Sequence, residues 1–124
     1  MAGTCTVVEE TYGSMKKVKW TWTTDSASAQ AAAASRVTTN AYNGAVQRLV
    51  TIPDGSSAPS ASHDQTVLDQ DSTDILIGGG ASRAAAATEQ VLGASLGVIA
   101  NDTMTLSVAN AGASAAGVTI VYIR

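Results

Sequence analysis

The sequence predicts an all-β domain, an antiparallel β-sandwich or jelly-roll-like barrel with long Ala/Gly/Ser-rich loops. Two observations carry this. Short segments alternate apolar and polar residues: Val18, Trp20 and Trp22 against Lys17, Lys19, Thr21 and Thr23, and Met104, Leu106 and Val108 against Thr103, Thr105 and Ser107. Period two puts one side of an extended chain on a core. Stretches of Ala, Gly, Ser, Asn and Asp separate these segments, the punctuation of a multi-stranded β fold rather than of an α/β one.

Strands are expected over 4–11, 17–24, 45–52, 64–69, 73–77, 96–100, 103–109 and 117–123. The last is β-branched or aromatic from Val118 to Ile123. Between the second and third strands, Ala31–Ala34 sits in a small-residue stretch from Ser26 to Ser35. Alanine favours helix, but no large apolar partners make a docking face, so a loop and a single helical turn both fit. Ala84–Ala87 raises the same question, and Thr88, Glu89 and Gln90 could extend a short helix there. Pro53 ends the third strand because it has no ladder donor. Asp54-Gly55 then turns, and Ser56–Ser62 is an exposed loop. Asn101-Asp102 is expected to be a hairpin connection. Gly78–Gly80 permits positive φ or close approach to another surface.

At 124 residues the chain fits one domain, residues 1–124. Of its 56 hydrophobic residues 23 are Ala, Val, Ile and Leu together number 24, and Phe is absent. The core is therefore thin, and association with copies or a larger surface would relieve it. Val18, Trp20, Trp22, Val50, Leu106, Val108, Ile120 and Tyr122 are the expected buried set.

Net charge is −3, and the seven Lys/Arg cluster only at Lys16, Lys17 and Lys19. With no basic patch interleaved with aromatics, nucleic-acid binding lacks support. No segment approaches the roughly 20 apolar residues of a membrane helix. Met1–Cys5 lacks the charged and apolar regions of a signal peptide, so none is expected. Cys5 is a lone cysteine, which excludes an internal disulfide and suits a reducing compartment.

Few residues invite chemistry. His63 is the single histidine and is expected as a solvated loop residue entering a strand, not the base of a triad. One His and one Cys cannot complete a structural zinc site. Asp69, Asp71 and Asp74 lack the glycine and distal Glu of a calcium loop and are expected to cap turn amides. Gly78–Arg83 lacks the Gly-Lys-Ser/Thr ending of a phosphate loop. Trp20 and Trp22 could stack on sugars but are expected in the core. Arg48 shares an alternation set with Val46, Val50 and Ile52, which places it at a subunit boundary or against a sheet-edge carboxylate. No catalytic residue, metal or cofactor is expected.

The runs Lys17–Thr23, Arg48–Gly55, Asp64–Asp71 and Asp74–Leu76, with Gly79–Arg83, Thr88–Gln90 and Leu106–Gly112, resemble a family of small virion structural proteins of tailed bacteriophages and prophages. The likeness covers roughly residues 16–124 and rests on strands and turns. It implies a capsid decoration (cement) protein on the virion surface, with the major capsid protein as partner and a homotrimer as the working form. A head–tail connector or tail component is the alternative within the virion, and a module binding host-surface glycans the alternative outside it. The expected contacts lie in 78–87, with Gly79, Gly80 and Arg83, and in 1–8, with Cys5 and Val7. Arg48 and Arg83 are the candidates for interface ion pairs.

Overall fold

A computed structural model describes residues 3–24 and 36–124. Among these residues nine strands form two antiparallel sheets that pack as a sandwich and do not close into a barrel. They are β1 (Thr4–Tyr12), β2 (Met15–Thr23), β3 (Arg36–Val37), β4 (Tyr42–Pro53), β5 (Asp64–Leu68), β6 (Glu89–Leu92), β7 (Val98–Asp102), β8 (Thr105–Ala109) and β9 (Ala116–Ile123). The larger sheet runs β1-β2-β9-β4-β6, with β7 also on β4; the smaller runs β3-β8-β5.

The alternation in β2 sets the inner face. In register, Trp22 lies beside Gly117 and Pro53, Trp20 beside Thr119 and Thr51, and Val18 beside Val121 and Leu49. Each indole thus sits in a row whose neighbours are small or flat, so two large rings fit one sheet face. A Cβ on Gly117 would stand 2.5 Å from Cζ2 of Trp22, so this position has no room for a side chain. Val67, Leu106 and Val108 of the smaller sheet close the core from the other side, with Ile75, Leu76, Leu96, Ile99 and Met104. A bulge at Gln47 pairs Val46 with Ile123 and Arg48 with Tyr122, so Val46 and Leu49 both reach the core.

The expected buried set holds except for Tyr122, although it divides between the two faces of the larger sheet. Val18, Trp20, Trp22, Leu106 and Val108 are buried together, but Val50, Ile120 and Tyr122 lie on the opposite, outer face. Val50 and Ile120 are nonetheless only 7% exposed, and Tyr122 is half-buried. A strand such as β9, β-branched or aromatic from Val118 to Ile123 with its polar Thr119 on the inner face, has no apolar period of its own. Its pairing with β2 decides which set turns inward.

Other elements differ from expectation. The strand predicted over 73–77 is a series of turns, because the Asp74 carboxylate accepts amide hydrogens from Val67 (3.2 Å), Leu76 (3.0 Å) and Gly78 (2.9 Å). Ile75 and Leu76 are therefore both buried in succession. Asn101-Asp102 is not a hairpin: β7 pairs with β4, and the chain then crosses to the smaller sheet. Ala84–Ala87 is not helical. Ala84 donates to Glu89 Oε1 at 2.6 Å, and Glu89–Leu92 adds a strand to β4. The first alanine-rich stretch, Ala27–Ala34, lies outside the described residues.

Replacing Gly117 by Val forces a branched side chain into the Trp22 ring. Urea unfolding is expected to show a loss of about 1–3 kcal/mol, the range for overpacking, and an unchanged midpoint would refute the tight seat of Trp22.

Candidate functional site

The polar residues that the sequence singles out are mostly hydrogen-bonded within the chain. His63 is buried, not solvated. Its Nδ1 lies 3.0 Å from the Ser60 carbonyl, which can only accept, so Nδ1 carries the proton. Nε2 then accepts from Gln65 Nε2 at 3.0 Å. Gln65 Oε1 accepts from the Thr119 hydroxyl, which itself accepts from Trp22 Nε1 at 3.1 Å. Donors and acceptors alternate consistently along this relay, which ties β5 to β9 and β2 across the sandwich. Burial, its largest cause, pulls the His63 pKa below 6.5, so the ring stays neutral. Both nitrogens are engaged within the core, which leaves none to activate a nucleophile.

The acidic groups act the same way. Asp69, Asp71 and Asp102, rather than Asp74, bring carboxylate oxygens within 4.8 Å of one another. Asp69 Oδ1 accepts from the amides of Asp71 (2.9 Å) and Thr73 (3.0 Å), and Asp102 accepts from those of Thr103 (2.8 Å) and Gln70 (3.2 Å). The expected amide capping is thus present. Glu9, which sequence reasoning passed over, holds the amides of Thr39 (2.9 Å) and Asn40 (3.0 Å) and the Tyr42 hydroxyl (2.8 Å). Burial pushes its pKa up, but these donors outweigh it and bring the carboxyl below its ordinary value. An alternating strand residue gives no local sign of amides waiting 30 positions away.

The six expected contact residues do not converge. Gly79, Gly80 and Arg83 lie along β5: the Gln65 amide donates to Gly80 O at 2.8 Å, and Arg83 pairs its backbone with His63. A side chain on Gly80 would strike the Gln65 backbone, so the close approach that glycine permits is made to this chain itself. Arg83 reaches Glu89 at 3.7 Å. Cys5 and Val7 pack partly buried against the core on β1, and burial raises the thiol to about 11, against the pull of Arg36. Arg48 stands elsewhere, on the outer face. Its guanidinium lies 4.4 Å from the Tyr122 ring centroid and donates to Gln90 Oε1 at 3.2 Å, so an aromatic ring and an amide take the place of the expected carboxylate.

That outer face is the candidate site. Pairing aligns Lys19, Ile120, Val50 and Gln90 in one row across four strands, and Lys17, Tyr122, Arg48 and Leu92 in the next. Val118 and Ile52 continue the apolar centre, and Val8, Tyr12, Leu92 and Val98 are exposed around it. The face is set with cations around an apolar centre that is itself largely covered. Val50 and Ile120 are buried and Ile52, Val118 and Tyr122 half-buried, so the exposed apolar area of the face lies at its margins. A hollow of about 200 Å³ lies at one end, lined by Thr21, Ile52 and Val118. A second, of about 430 Å³, opens away from this face, where Thr11 and Lys16 of the inner side meet Asn40 and Tyr42. Both indoles are buried with their N–H groups bonded, Trp20 to the Arg36 carbonyl at 3.0 Å, so neither offers a stacking platform. Among the described residues no helix is long and apolar enough to cross a membrane. No family model matches the chain, and no curated protein or solved structure matches it.

The relay makes stability pH-dependent. The unfolded ring takes a proton near 6.5 while the folded ring resists it, so protons favour the unfolded chain. Urea midpoints are expected to be level above pH 6.5 and to fall below it, by at most about 1.4 kcal/mol per pH unit. Equal midpoints at pH 7.5 and 5.5 would contradict a neutral, internally bonded His63.

Proposed function

We propose that this chain is a non-enzymatic virion structural protein of tailed bacteriophages, a decoration or cement protein seated on the capsid surface as a homotrimer and bridging major capsid subunits. One observation carries the reading. His63, Asp69, Asp74 and Asp102 are bound to the chain's own backbone or side chains, while the outer sheet face presents Lys17, Lys19 and Arg48 with exposed Val8, Tyr12, Leu92 and Val98 at its margins. A surface of that kind acts through contact area rather than through a cleft. The segments that carry the family resemblance support it as well, since Lys17–Thr23 lies in β2, Arg48–Pro53 is the C-terminal half of β4 and Asp69–Asp74 is the capped turn. They are scaffold, as expected of a protein whose product is a shape. Bridging stabilises a shell against internal pressure with no reaction. The burial of both tryptophans weighs against the glycan-binding alternative.

The test is the protein's distribution in purified particles. Hundreds of copies spread over the shell are expected by quantitative mass spectrometry and cryo-electron microscopy. A dozen or fewer, confined to the portal vertex or tail, would replace this reading by the connector one.

A further inference from the structure

We infer that copies of this chain associate head to tail, the outer face of the larger sheet on one copy seating the acidic turn Asp69–Ile77 of the next. The two surfaces are complementary in charge and in apolar content. On the face, Lys17, Lys19 and Arg48 flank Ile120, Val50 and Tyr122. Its acidic residue, Glu10 opposite Lys17, leaves the face net cationic. The segment 64–82 carries Asp64, Asp69, Asp71 and Asp74 and neither Lys nor Arg.

Ile77 is the apolar half of the turn. It is 70% exposed and holds φ at +50°. A β-branched residue in the left-handed region is a genuine outlier that costs on the order of 1–3 kcal/mol. Gly78, Gly79 and Gly80 follow at once, so the chain places its strained isoleucine beside residues that would adopt the conformation freely. The turn is over-determined around it: Asp74 holds the amides of Leu76 and Gly78 by its carboxylate and that of Ile77 by its carbonyl, at 3.2 Å. The side chain lies over Gly97, just before β7, and stands out from the body as a knob.

Within one copy, distance rules out pairing of the turn with Lys17 and Lys19, and Arg48 is taken up by Tyr122 and Gln90. Lys17 and Lys19 are on β2, and β9 and β4 separate that strand from β7. Three strand spacings amount to roughly 14 Å. Face-to-face pairing of two identical sheets would set cation against cation. The remaining arrangement is heterologous, and such a contact closes into a ring when its rotation permits. The inference deepens the homo-oligomer reading above and rests on it for its role in the virion.

Sedimentation of the full chain tests it. Self-association is expected to weaken with salt, as exposed ion pairs do. Ile77→Gly relieves the strain, so its urea midpoint is expected to rise while association falls roughly tenfold through the lost apolar contact. A merely structural Ile77 would not separate the two readouts. Lys19→Glu and Asp71→Lys are each expected to weaken association, and the double variant to recover it. A chain that stays monomeric at low salt, or Ile77→Gly with unchanged association, overturns the contact. Particles still decorated by such a monomer would leave the decoration role standing without its homotrimer.

Discussion

The seat of Trp22 is the constraint on which the rest of the structure depends. The ring lies against a backbone that carries no side chain at Gly117, beside Pro53 in the same row, and its N–H opens the relay through Thr119 and Gln65 to His63. One side chain therefore joins β2 to β9 by packing and the larger sheet to β5 by hydrogen bonding. In a chain with no Phe and 23 Ala, few other groups could do either. Tryptophan supplies the buried area that aliphatic residues do not.

This economy explains why the buried polar groups are so completely matched. No buried side-chain polar atom among the described residues lacks a partner. A thin core has little margin for an unsatisfied donor, which costs about 1–3 kcal/mol. Asp74, Asp69, Asp102 and Glu9 serve loops in the same way, each accepting two or more hydrogen bonds from amides or a hydroxyl where the chain leaves a sheet. Long connections stay attached because carboxylates, rather than apolar contacts, fasten them.

The cost appears on the outer face. Val118, Ile120 and Tyr122 alternate with the core residues of β9, so the strand is apolar on both sides although the sandwich covers one of them. Strands of that composition are usually buried twice. Long cationic side chains provide part of the missing cover, as Arg48 does over Tyr122. The same device that shields the stripe also sets its charge, and so the chemistry of whatever completes the burial.

The sequence by itself determined the fold class and most strands, because period two in β2 and β8 and the capping aspartates around residue 70 are local properties. It also marked Trp20 and Trp22 as core, since the other large apolar residues are few. Only the tertiary structure decided the rest. Which side of β9 turns inward follows from pairing across 97 residues, Trp22 to Thr119, not from its uniform composition. His63 is buried because Gln65 and Ser60 meet its nitrogens, and Glu89 joins a strand because β4 has a free edge. The outer face was invisible for the same reason. Lys19, Val50, Ile120 and Gln90 become neighbours only when four strands from distant parts of the chain fall into register.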